Sequence, residues 1–222
     1  MIEVVKQGFL NLSQQEQKQV LEAALDEFSK RDFKTASLNR IIEQAGISKG
    51  SMYHYFHNKE DLYLYLMEII MAEKSRFLAA ALQDLKRPVH ELSMFETLTL
   101  QINTAVQFAR ENPRYHLINK QLQDMPDGAL KQKIWGRFTV EFDKYMNSMI
   151  TNAINNGELR SDLDRKFITR VLRFVMLNFT DFYPDYNELL QMDEKELQQE
   201  VGQVIDFLQN GLAAPEKKEE KQ

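Results

Sequence analysis

The chain has 222 residues, 43% of them hydrophobic and 27% charged, with a formal net charge of −5. These proportions are those of ordinary globular proteins and exclude disorder along the whole chain. There is no cysteine, which excludes disulfides, thiolate zinc sites and thiol catalysis. No apolar run approaches the roughly 20 residues of a membrane span. The N-terminus lacks the basic-then-apolar pattern of a secretion signal. The expectation is a cytoplasmic protein without a membrane partner.

Eight Gly and five Pro are few breakers for this length and favour long helices. Ser13-Gln14-Gln15-Glu16 is a capping box, and Val20, Ala23, Ala24, Leu25 and Phe28 follow at helical spacing towards an end near Lys30. A short helix fits Ser37–Ala45, with Gly46 just past its end. Ser48 caps a third helix through Met52 and Tyr55, and Asn58-Lys59-Glu60-Asp61 opens a fourth reaching about Leu85. Further helical segments are expected at His90–Glu111, Pro113–Met125, Ala129–Asn155 and Leu163–Phe182. Asn156-Gly157 and Asp181–Pro184 supply the later breaks. Asp193-Glu194-Lys195-Glu196 opens the last helix, striped by Leu197, Val201, Val204, Ile205, Leu208 and Leu212. No segment shows the two-residue alternation of a strand. The chain reads as all-α, with about nine helices and a charged, disordered tail.

Residues 37–56, S-L-N-R-I-I-E-Q-A-G-I-S-K-G-S-M-Y-H-Y-F, form a helix, a glycine turn and a second helix. A helix-turn-helix lays its second helix in the DNA major groove. Ile41, Ile42, Ala45, Ile47, Met52 and Phe56 supply a buried face. Ser48, Lys49, Gly50 and Ser51 supply a small, polar end that can approach bases. Tyr53, His54 and Tyr55 can meet phosphates. Six basic residues (30, 31, 34, 40, 49, 59) stand against Asp32 and Glu43 between Lys30 and Lys59, a local +4 that leaves −9 for the remaining 192 residues. Such asymmetry suits a DNA-reading head on a separate body.

The stretch A-G-I-S-K-G-S-M-Y-H-Y-F-H-N-K-E-D-L resembles the N-terminal DNA-binding domain of the tetracycline-repressor (TetR) family of transcriptional regulators. The resemblance covers about residues 13–65. It implies that Ser37 and Asn39 contact phosphate or bases, and that Lys49, Gly50 and Ser51 read the major groove. It places Tyr53 and Tyr55 on the DNA backbone, and Lys59 as a cap of the following helix that also touches phosphate. His54 falls on a position that varies in the family.

Other chemistry has little support. His54 and His57 are three apart, but no third ligand or orienting acid is near. The sequence has no G-x-S-x-G, no phosphate loop of the G-x-x-x-x-G-K type and no G-x-G-x-x-G. Neither an enzyme nor a cofactor is expected.

In the body, Phe167, Val171 and Phe174 line one side of a helix, and Leu172, Val175 and Phe179 another. A surface helix needs only one apolar face, so the second implies a partner subunit or a ligand cavity. The resemblance implies a homodimer formed by the last two long helices, about 164–183 and 193–212, on a near-palindromic double-stranded operator. It also implies a small-molecule effector, released binding being the commoner outcome. The candidate pocket lining is Phe95, Leu98, Ile102, Ile118, Leu122, Trp135, Phe138, Phe142, Met146, Asn178 and Phe182, rich enough in aromatic and Met side chains for an apolar ligand. The expected division is a DNA-binding domain over 1–60, a ligand-binding and dimerisation domain over 61–212, and a tail over 213–222. The competing reading is an all-α protein-interaction module on the same fold without specific DNA binding.

Overall fold

The computed structural model describes residues 4–183 and 186–212, apart from the side chains of residues 89, 138, 141, 180, 181, 186 and 187. All regular structure among them is helical. In chain order these are α1 (Gln7–Leu10), α2 (Gln14–Lys30), α3 (Leu38–Gln44), α4 (Lys49–Tyr55), α5 (Lys59–Gln83), α6 (Met94–Glu111), α7 (Pro113–Asp124), α8 (Ala129–Asn155), α9 (Arg165–Asn178), α10 (Tyr186–Gln191) and α11 (Glu194–Leu212). Single 3-10 turns cover Val89–Glu91 and Phe179–Phe182. The all-α reading holds, and α1 and α10 add two short helices to the nine expected. Pro184 and the charged tail lie outside the described residues.

Local chemistry sets the helix ends. Ser13 Oγ accepts the Glu16 N–H at 3.3 Å, while the Ser13 N–H donates to Glu16 Oε2 at 2.9 Å. The same reciprocal pair joins Asp193 and Glu196 at 2.8 and 2.9 Å. A third pair, Ser93 with Glu96 at 3.1 and 2.8 Å, starts α6 at Met94 and leaves His90 in the preceding 3-10 turn. Each pair satisfies two N–H groups that a helix start leaves free. Gly46 and Gly157 have φ of 63° and 76°, the left-handed conformation that lets the chain leave α3 and α8 at low cost.

The chain divides into two compact units: residues up to 76 with 111–137, and 77–110 with residues from 138 onward. The first unit therefore takes in α1–α4, most of α5, α7 and the opening turns of α8. Within it, α2 packs against both α3 and α7. Arg114 pairs with Glu22 at 2.8 Å, and the Gln121 amide donates to the Ser29 carbonyl at 3.1 Å. Ile118 and Leu122 are buried in α7. Lys133 pairs with Glu60 at 2.6 Å, and Arg137 pairs with Glu68.

The second unit is built around one apolar cluster, to which α6, α8, α9 and α11 contribute Leu98, Ile102, Met146, Ile150, Leu172 and Val201. Arg110 closes one end by donating to the carbonyls of Leu189 and Met192 at 3.0 and 2.8 Å. The double apolar character of α9 is resolved here. Ile168, Leu172 and Val175 face the cluster, while Phe167 and Phe174 remain 46% and 61% exposed.

Candidate nucleic-acid interface

Glu27 organises the helix-turn-helix. It lies in the last turns of α2 and is 3% exposed. Its carboxylate accepts Arg40 Nε and Nη2 from α3 at 3.0 and 2.6 Å, Arg31 Nη1 at 2.9 Å, and the Ser37 N–H at 2.7 Å. Charge-assisted bonds of this kind repay the burial of one carboxylate. The Arg40 bonds foremost hold the Glu27 carboxyl below the usual carboxylate range, against desolvation. Ser37 in turn caps α3 by accepting the Arg40 N–H at 3.4 Å. Asn39 is exposed beside it.

The next helix is fixed at its base and open at its tip. Ile41, Ala45, Met52 and Phe56 are buried, so α3 and α4 share one apolar seam. Ser48 Oγ caps α4 by accepting the Ser51 N–H at 2.9 Å, and lies 2.9 Å from Ser51 Oγ. Ser48, Lys49 and Gly50 are exposed, and Ser51 is half-buried. A methyl group placed on Gly50 would meet nothing closer than Ser48 Oγ at 3.6 Å. The fold itself therefore does not demand glycine at that position.

Tyr53 is 45% exposed. Tyr55 is half-buried, its ring 5.8 Å from that of Phe9 in an edge-on contact. His54 is exposed and packs beside Gly8. These contacts come from α1, which the sequence reading did not contain.

Lys59 has a different setting from the one its resemblance implies. Its ammonium donates to the carbonyls of Phe33, Lys34 and Ala36 at 2.6, 3.3 and 2.8 Å, and lies 4.6 Å from the centre of the Phe33 ring. An ammonium has three protons, and here all three hold the loop between α2 and α3. Burial lowers its pKa, partly offset by the charges of Asp32 and Glu27. In this arrangement Lys59 is a clamp for the loop, with no proton left for a phosphate.

The local charge also changes when partners are included. Lys30 pairs with Asp26, and Arg31 and Arg40 pair with Glu27. Both acids lie just outside the Lys30–Lys59 stretch. With Lys59 committed to the loop, Lys34 and Lys49 are the exposed cations of this stretch that make no ion pair among the described residues.

The candidate pocket residues do not come together as one lining in either unit. Phe95, Leu98, Ile102 and Met146 belong to the close-packed cluster of the second unit, with Phe142 against it. Ile118, Leu122 and Trp135 belong to the first unit. The Asn178 amide donates to the Phe174 carbonyl one turn back at 2.8 Å, and Phe182 is 51% exposed. The side chain of Phe138 lies outside the description. A groove of about 710 Å³ opens elsewhere, between α9 and α11, lined by Leu163, Phe167, Val171 and Phe207 among others. Among the described residues, no group of three or more His, Asp or Glu is placed to hold a metal, and no helix is long and apolar enough to cross a membrane.

Comparison with known proteins places this geometry. Residues 20–66 match the family model for bacterial regulatory proteins of the tetR family, and residues 92–213 match the tetracyclin repressor-like C-terminal domain. The fatty acid metabolism regulator protein of Bacillus subtilis (strain 168) is 21% identical over 154 residues, covering 69% of this chain and 76% of the relative. A TetR family transcriptional regulator from Chloroflexus aurantiacus J-10-FL is 30% identical, with a TM-score of 0.69, covering 96% of this chain and all of that one. The transcriptional regulator FadR from Bacillus subtilis, solved in complex with stearoyl-CoA, shares the fold with a TM-score of 0.66 at 20% identity, over 87% of this chain and 98% of that one. With both halves of the chain matched and the helix-turn-helix in place, this protein belongs to the TetR family of DNA-binding transcriptional regulators.

Proposed function

We propose that the protein acts as a dimer that grips a near-palindromic operator with the exposed end of α4 and lets go when a small apolar effector binds. The observation that carries the DNA-reading part is the state of α4. Its inner face is sealed and its start is capped, while Ser48, Lys49 and Gly50 are exposed. Direct base contact falls to Ser48, Lys49, Gly50 and Ser51. Ser37, Asn39, Tyr53, His54 and Tyr55 take the flanking backbone contacts.

The dimer forms through α9 and α11. Phe167, Phe174 and Phe207 are 46%, 61% and 78% exposed, and the groove between the two helices is largely apolar. Exposed large side chains clustered in this way mark an interaction surface. Gly202 and Gly211 lie on exposed positions of α11, with nothing within 4 Å of a Cβ built there. A partner helix can therefore approach closely. Two-fold symmetry would set the two α4 helices for successive major grooves, about 34–36 Å apart.

The effector is expected to be of the fatty-acyl kind. Support comes from the relative that regulates fatty acid metabolism and from the similar fold solved with stearoyl-CoA. The apolar cluster around Phe95, Leu98 and Met146 would open to admit the chain. Action on chromosomal DNA puts the protein in the cytoplasm, and no enzymatic role is assigned. The test is release from a selected operator duplex, followed by fluorescence anisotropy, on adding stearoyl-CoA or stearate. Release at micromolar ligand supports the assignment, and unchanged anisotropy at saturation overturns it.

A further inference from the structure

Lys6, Gly8 and Phe9, which precede α2, lie against α4. The last four carbonyls of a helix have no partner inside it. In α4, the Met52 carbonyl receives the Phe56 N–H at 2.9 Å. Two of the remaining carbonyls are taken by one residue far away in sequence. Lys6 donates its backbone N–H to the Tyr55 carbonyl at 2.9 Å and its ammonium to the Tyr53 carbonyl at 2.8 Å. A cation at this end also suits the helix dipole.

Two further contacts make the junction tight. The Phe9 ring is fully buried, with centroids 5.8 Å from Tyr55, 5.0 Å from Phe56 and 5.6 Å from Tyr65. A Cβ built on Gly8 would lie 2.4 Å from two atoms of the His54 ring and 3.1 Å from the His54 carbonyl oxygen. Any residue larger than glycine there forces the imidazole to move.

We propose that Lys6, Gly8 and Phe9 form a clasp that positions the recognition helix, raising discrimination between DNA sequences without themselves touching DNA. The inference rests on α4 being the DNA reader. Base-edge contacts carry the sequence information and depend on how α4 is placed, whereas phosphate attraction is electrostatic and sequence-independent. Loosening the clasp therefore weakens specific binding and spares non-specific binding. Lys6 is a positioning residue: its backbone N–H and one of its three ammonium protons are held by α4.

The test uses the full chain and two readouts. The first is amide hydrogen exchange of the free protein, which needs no DNA. Lys6→Met should speed exchange at residues 52–56, and Lys6→Arg should restore protection. The second is anisotropy with a duplex selected by the wild-type protein from random sequences, against a scrambled duplex, at several salt concentrations. Lys6→Met should weaken the selected duplex about threefold to tenfold, the worth of one net hydrogen bond. The scrambled duplex and the slope of log K against log salt should stay unchanged, and Lys6→Arg should recover affinity. A slope reduced by about 0.9, with equal loss on both duplexes, would mean that Lys6 touches a phosphate, and the clasp would be refuted. Unchanged exchange in Lys6→Met would refute it as well. A wild-type protein that selects no duplex would refute the DNA-reading assignment and with it the role in discrimination, while the exchange data would still decide whether the clasp holds α4.

Discussion

Arg40 straddles the Glu27 carboxylate with Nε at 3.0 Å and Nη2 at 2.6 Å, and this fork ties α3 to α2 at the point where the chain turns toward α4. The same Arg40 Nη2 also reaches the Thr35 carbonyl at 3.0 Å. One side chain thus fixes both the loop and the helix that follows it.

Glu27→Ala should destabilise the first unit by about 2–3 kcal/mol, because it strands Arg40, Arg31 and the Ser37 N–H together. Urea unfolding followed by circular dichroism measures this. Glu27→Gln should recover only part of the loss, since it keeps an acceptor and drops the charge.

Lys49 and Lys59 should behave in opposite ways. Lys49→Ala should weaken DNA binding about threefold to tenfold and make the salt slope shallower by about 0.9, with helicity unchanged. Lys59→Met should leave the slope alone and lower stability by about 1–3 kcal/mol, since three loop carbonyls lose their donor. Salt-dependent anisotropy together with thermal melts separates the two.

His116 should make the protein acid-sensitive in a defined window. Burial foremost, then the charges of Lys120 and Lys74, lower its pKa from 6.5 to about 4. The unfolded chain therefore binds the proton first as pH falls, and stability drops between pH 6.5 and 4. After allowing for partial exposure the loss at pH 4 is about 1–2 kcal/mol. His116→Gln should flatten this part of the stability profile. Glu27 loses its paired charge at lower pH still, because its carboxyl is held below the ordinary value.

Phe174→Glu combined with Phe207→Glu should convert a dimer to a monomer in sedimentation velocity. Burying one Phe contributes about 1.5–3 kcal/mol, so removing both weakens association at least about a hundredfold. Retained dimers would move the subunit interface away from α9 and α11.

What could be read from the sequence was whatever is local. Ser13 with Glu16, and Asp193 with Glu196, announce helix starts within four residues, and Gly46 announces an end. The buried face of α3 and α4 followed from spacing alone. The four-residue α1 carries no period to detect, so the contact of Phe9 with Tyr55 and Phe56 was invisible. Glu27 escaped notice because its main partner lies 13 residues away on another helix. Asp26 and Glu27 lie just before Lys30, and they pair with three of the six cations and offset two of their charges. The pocket was the hardest to read, because Leu98 or Met146 in a core has the same residue type and spacing as in a ligand lining.

The most direct test of the central claim is selection of duplexes from a random library by the purified protein, followed by anisotropy at near-physiological salt. The account predicts a near-palindromic site bound at least about a thousandfold more tightly than scrambled DNA of equal length. Equal affinity for selected and scrambled duplexes would contradict it and leave α4 without the role that its capped, exposed end supports.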